Sequence, residues 1–123
     1  MIFIPILALI IGGVLAFQLF PSDLLPRELV GVAALAGLDT VFGGIRAALE
    51  MRFKSDLFVT GFVFNIALAI GLVYMGYKIG VEMYLAAVVA LGGRLFLNLS
   101  IIRRHYLTRL SEARERRSIE VKQ

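Results

Sequence analysis

Apolar residues run along the chain in four blocks, 2–20, 29–49, 57–77 and 83–102, separated by short polar connections. At about 1.5 Å of rise per residue, each block forms a helix about 30 Å long, which matches the hydrocarbon thickness of a bilayer. The blocks are continuous, so they lack the alternation over about ten residues that marks the strands of a membrane barrel. The connections 21–28, 50–56 and 78–82 hold no domain of their own and make consecutive spans neighbours. The pattern therefore predicts an all-α membrane protein of four transmembrane helices in an antiparallel bundle. Residues 103–123 follow as a basic juxtamembrane tail.

Composition agrees with this reading. The chain is 59% hydrophobic and 18% charged, with a mean hydropathy of +0.86, beyond the apolar share of ordinary soluble domains. The first block reads as a retained span. It has no basic segment before it and no clear small-residue cleavage site, and its length exceeds the about 7–15 residues of a signal-peptide core. Pro5 is tolerated there because a first-turn proline removes no helical hydrogen bond. The absence of cysteine excludes disulfides and leaves the redox compartment open.

An even number of spans puts both termini on one side, and the basic residues say which. The tail carries Arg103, Arg104, Arg109, Arg114, Arg116, Arg117 and Lys122, and the second connection adds Arg52 and Lys54 beside Arg46. The other two connections hold only Arg27 and Lys78. The positive-inside bias then places both termini in the cytoplasm. In that orientation Asp39 in block two and Arg94 in block four lie about 15–17 Å from the outer face, near the midplane.

Each of these charges alone costs roughly 2.5–3.5 kcal/mol at a helix centre on insertion-based scales. Pairing removes most of that cost, and the planar fork of arginine suits a carboxylate partner. An Asp39–Arg94 ion pair between spans two and four is the expectation. Such a pair can fix helix register, serve as a site for protons, ions or a polar substrate, or contact a partner protein. Thr40, Asn65 and Asn98 fall at neighbouring depths and complete an intramembrane polar layer. The asparagines read first as interhelical hydrogen-bonding groups. Arg46 lies about 5 Å from the cytoplasmic end of its span, within reach of the headgroups, and reads as a membrane-surface basic residue that marks topology.

Small residues recur every four positions in block two (Ala36, Thr40, Gly44, Ala48) and block four (Ala86, Ala90), and similarly in block one (Ala8, Gly12, Ala16) and block three (Ala67, Gly71). Together with the pairs Gly12/Gly13, Gly43/Gly44 and Gly92/Gly93 they read as faces where helices pack closely. The paired glycines in GGIRA also leave room for a re-entrant turn in block two. A shift that lays Ile45 and Arg46 over Ile102 and Arg103 superposes one hairpin on the other, a weak sign of two similarly oriented halves.

The pI of about 9.9 raises the question of nucleic acid. No aromatic platform interleaves with the basic residues of the tail, so attraction to anionic lipid is the better reading and no nucleic-acid partner is expected. Residues 106–117 can continue span four as a helix, with Glu112 four residues before Arg116. The single histidine, His105, is expected at headgroup level and solvated, with no ligand set around it. No phosphate loop, zinc motif or nucleophile elbow appears, so no enzyme activity, cofactor or metal is expected.

The strings ALAGLDTVFGGIRAAL (34–49), FVTGFVFNIALAI (58–70) and GVEMYLAAVVALGGRLFLNLSIIRR (80–104), in that order, resemble the bacterial small basic protein family of short integral membrane proteins. The resemblance covers about 33–104; block one and the tail match only in character. It supplies no catalytic or binding residues. It implies a plasma-membrane location and, because genes of the family often sit near cell-division genes, a role at the division machinery or in envelope assembly. The expected function is a non-enzymatic scaffold or interaction protein that binds membrane lipids and assembles as a homo-oligomer or with other membrane proteins. The alternative is a small transporter or channel subunit that uses Asp39 as an ion or proton site.

Overall fold

A computed structural model describes residues 3–19 and 26–122 of the chain. Among these residues the fold is all-helical: α1 (Phe3–Leu19), α2 (Arg27–Leu49), α3 (Ser55–Ile79) and α4 (Met83–Val121). Three of them, α2, α3 and α4, are long and apolar enough to cross a membrane. The α1 helix has 17 residues, about 25 Å at the helical rise. The connection before α2 falls mostly outside the described residues, as does the side chain of Ala16.

The α2 helix sits at the centre, packing against α3 and α4 and carrying α1 on its side. Its first half builds the apolar core. Val32 and Ala36 are fully covered by Ala69 and Val73 of α3 and Ala87 of α4, with Leu29, Ile66, Leu72, Tyr84 and Leu91 packed around them. Most other large apolar side chains of α1, α3 and α4 point outward, as helices surrounded by acyl chains require. Near the core end, the Tyr77 hydroxyl donates to the Glu28 carboxylate at 3.2 Å, joining the end of α3 to the start of α2.

Two glycines make the turn from α3 into α4. Gly80 takes the left-handed conformation (φ 71°) that ends α3, and the Val81 N–H bonds back to the Gly76 carbonyl at 3.0 Å. A side chain at Gly76 would lie 2.6 Å from the Val81 carbonyl oxygen, so this close return needs glycine. Elsewhere the small residues divide into two groups. A Cβ at Gly44 would press on the Phe58 ring at 2.7 Å and on Pro5 at 3.2 Å, so α1, α2 and α3 meet tightly there. At Gly12, Gly13, Gly71, Gly92 and Gly93 an added Cβ would meet nothing within 4 Å among the described residues, so within one copy they are not the close-packing sites that their spacing suggests.

Two further readings are resolved. The α2 helix continues unbroken through Gly43, Gly44, Ile45 and Arg46, so there is no re-entrant turn. The α4 helix runs for 39 residues, about 58 Å, without interruption between Ile102 and Arg103. The basic tail thus continues span four as a helix, as its residues 106–117 allow, and forms the second half of one rod.

Candidate functional site

Along α2, Asp39, Gly43, Arg46 and Glu50 follow one another at intervals of four, three and four residues, the spacing that keeps side chains on one helix face. This face meets Arg94 and Asn98 of α4, themselves four apart. The Asp39 side chain is completely buried, with Arg94 Nη2 3.2 Å from its Oδ2; the Arg94 side chain stays 58% exposed. Their atoms are within ion-pair distance but not aligned for a hydrogen bond. Asn98 Nδ2 donates to the other carboxylate oxygen, Asp39 Oδ1, over a long 3.4 Å.

Asn98 also extends the chain of contacts. Its carbonyl oxygen accepts from Arg46 Nη1 at 3.3 Å, so its amide uses both polar ends between a buried carboxylate and a guanidinium. Arg46 Nε donates in turn to Glu50 Oε1 at 3.2 Å. Glu50 also accepts from Arg52, which the turn after α2 brings back towards it. In that turn Met51 adopts φ 59°, and the Arg52 N–H bonds to the Ala47 carbonyl at 2.8 Å. The two guanidinium groups, Arg52 first and Arg46 next, hold the Glu50 carboxyl below its ordinary pKa. A continuous polar path thus runs Arg94–Asp39–Asn98–Arg46–Glu50–Arg52.

Thr40 lies one residue beyond Asp39 and turns about 100° from it, towards α3. Its hydroxyl donates to the Ala36 carbonyl at 3.0 Å and accepts from Asn65 Nδ2 at 3.0 Å. The polar residues of the membrane interior therefore divide into two branches. One joins α2 to α4 through charge, and the other joins α2 to α3 through neutral hydrogen bonds.

Beside the charged branch a groove of about 470 Å³ opens between α2, the turn that follows it, and α4. Gly43, Arg46, Ala47, Glu50, Arg52, Arg94, Leu97 and Asn98 line it. A Cβ at Gly43 would come within 3.6 Å of Asn98 Nδ2, ordinary contact that would nonetheless fill part of this wall. Arg103, Arg104, Arg109, Arg114, Arg116 and Arg117 lie further along α4, all exposed. Among the described residues, no three His, Cys, Asp or Glu side chains gather as they would for a metal ion.

Two residues behave differently from their sequence reading. Arg46 is not a lone headgroup-seeking cation, since Asn98 and Glu50 hold it in the path. His105 lies seven residues after Asn98 on the continuous α4, half-buried, and its Nε2 is covered and has no hydrogen-bond partner among the described residues. The participation of Glu50 and Arg52 was missed altogether. The charge alternation Asp39, Arg46, Glu50 on one face of α2 was the available signal.

The family described as "Protein of unknown function (DUF1290)" matches residues 23–107, most of the chain and all of this site. A "Small basic protein" of Bacillus subtilis is 44% identical over 109 residues, covering 86% of this chain and 88% of its own. The chain belongs to the small basic protein family. Uncharacterised proteins of Mycobacterium bovis and Mycobacterium tuberculosis are also similar, each 41% identical over 106 residues, covering 82% of this chain and 86% of theirs. No solved structure matches. The polar path and its groove lie within the part of the chain that the family description covers.

Proposed function

We propose that this small basic protein is a non-enzymatic scaffold of the bacterial plasma membrane. In this reading four spans form an antiparallel bundle with both termini in the cytoplasm, and α4 projects its basic second half from the membrane surface. The observation that carries the reading is the outward face of α3 and α4. Gly71, Gly92 and Gly93 have no neighbour within contact distance, and Ala86 and Ala90 are exposed on the same helix as the glycine pair. In lipid, where burial of apolar surface drives no association, such small residues favour close helix approach. The interior is already committed, since each polar branch ties α2 to a neighbour. The outer surface is what remains for a second copy of this chain or another membrane protein, with the cell envelope and its division machinery as the setting the family resemblance implies.

Because the chain has no cysteine, single-cysteine cross-linking tests this directly. Ala90→Cys should give cross-linked copies, or a cross-link to a co-purified membrane protein, in native membranes, and Gly93→Leu should abolish it without unfolding the helices. A chain that stays monomeric and partnerless in mild detergent, with no cross-link at any outward α3 or α4 position, would overturn the scaffold reading. The competing reading, an ion or proton site at Asp39, requires water at that carboxylate. The complete burial of its side chain weighs against this, and labelling of Asp39 by a membrane-permeant carbodiimide would favour it.

A further inference from the structure

The groove beside α2 and α4 contains more positive charge than the molecule itself neutralises. Of its lining residues three are cations, Arg46, Arg52 and Arg94, and one is an anion, Glu50. Glu50 is shared between Arg46 and Arg52. Asp39 sits behind the wall, fully buried, and meets only one edge of Arg94. A guanidinium has five N–H donors in a planar fork. That of Arg94, which lines the groove and is more than half exposed, makes no side-chain hydrogen bond among the described residues, where its charged contact is Asp39. In lipid such donors have no water to turn to, and leaving them uncompensated is costly.

Geometry points to the compensating group. Arg94 starts near the level of Asp39, yet it lines the same groove as Glu50 and Arg52, which stand at the far end of α2 and in the turn beyond. The Arg94 head, held beside Asp39, therefore stands at the inner end of a groove whose other end carries Glu50 and Arg52. Three guanidinium groups arrive from three places: the last turn of α2, the turn after it and the first half of α4. A carboxylate offers two oxygens in one plane and suits one such fork. A tetrahedral phosphate offers oxygens in several directions and suits several forks at once.

We propose that this groove is a binding site for a phosphate-bearing anion, taken from the headgroup of an anionic phospholipid at the membrane surface or from free phosphate. The proposal needs the chain to be inserted in a membrane but does not depend on partners, so its failure and that of the scaffold reading are separable. Gly43 keeps the groove wall low beside Asn98, and Asn98 holds Arg46 in place from behind.

The test uses the full chain, delipidated in detergent, with phosphatidylglycerol, phosphatidylcholine and inorganic phosphate as probes, read by native mass spectrometry and by thermal unfolding. One phosphatidylglycerol should bind in preference to phosphatidylcholine and raise the unfolding temperature. Stabilisation by inorganic phosphate to the same extent would support the site with free phosphate as its source. Arg52→Gln, at an exposed position outside the helices, should weaken binding about tenfold, the worth of one charge-assisted hydrogen bond. Arg94→Lys, which keeps the charge facing Asp39 but loses the fork, should weaken it similarly. Neutralising Arg114, Arg116 and Arg117 together should leave the tight one-to-one binding intact. The proposal is overturned if phosphatidylglycerol and phosphatidylcholine bind alike and phosphate has no effect. It is equally overturned if the α4 triple variant loses the binding while Arg52→Gln and Arg94→Lys retain it.

Discussion

Asp39 is the residue on which the interior turns. Its carboxylate is wholly covered, so removing its cation leaves a buried charge without compensation, whereas removing both charges leaves an ordinary polar contact. Arg94→Ala should therefore destabilise the protein by about 2–3 kcal/mol, below the fully buried range because Arg94 is itself more than half exposed. The double variant Asp39→Asn/Arg94→Ala should recover part of that loss, and a double-mutant cycle of thermal unfolding in detergent measures the difference. At the other end of the path, two arginines depress the Glu50 pKa in the folded protein. A depressed folded pKa means that the contact is present above the ordinary carboxylate pKa and is lost as pH falls through the lower folded value. A spin label beside Arg52 should accordingly show unchanged order from pH 7 to 5 and loosen only below the ordinary carboxylate range. In Glu50→Gln that step should be missing. The sequence revealed the first of these contacts better than the second. Asp39 and Arg94 stand out because each is a lone charge deep in an apolar block. Glu50 and Arg52 lie in a short polar connection, where charges are expected; the four-residue step from Arg46 to Glu50 hints at one contact, but the return of Arg52 through the turn cannot be read from spacing.

At the level of elements, block lengths and turn residues explained most of what formed. The starts and stops of α2 and α3 lie within a few residues of the apolar blocks, because the bilayer-length apolar run and the helix are set by the same residues. The course of α4 was less legible. Hydropathy falls at Arg103, but helix propensity does not, and a run of Leu, Ala, Glu and Arg carries the helix on to Val121. Arg104→Pro should break that continuity by removing one backbone hydrogen bond and crowding the preceding turn. The distance between spin labels at 95 and 118, about 35 Å along an unbroken helix in the parent, should shorten when the proline bends it. Small-residue spacing was the weakest guide. It marks faces that allow close approach without saying whether the partner lies in the same chain. Gly44→Ala, which drives a methyl into the Phe58 ring, should cost about 1–3 kcal/mol and be partly rescued by Phe58→Leu. Gly12→Ala meets nothing within 4 Å and should be neutral or mildly stabilising, as expected for a helical glycine replaced in open space.

For the whole molecule, the apolar core and the charged path occupy different ends of the same helix pair. Val32, Ala36 and Ala87 close the end near the α3–α4 turn, and Asp39, Asn98, Arg46 and Glu50 lead to the end near the α2–α3 turn. The basic half of α4 projects beyond that second end, so the groove, the turn that carries Arg52 and the arginines from Arg103 onward belong to one side of the membrane. In the proposed orientation, which rests on the positive-inside bias, that side is the cytoplasm. A molecule arranged in this way must be oriented uniformly for its groove to meet one leaflet. Single cysteines test this without interference, since the chain supplies none of its own. Ser118→Cys on α4 and Ser55→Cys at the start of α3 should react with a membrane-impermeant maleimide only after the cells are opened. Val81→Cys, exposed in the α3–α4 turn, should react in intact cells. Labelling of Ser118→Cys and Val81→Cys from the same side would mean that α4 does not cross. The arginines of the groove would then face water at an interface, and the physical reason for a phosphate to be drawn into it would go with them.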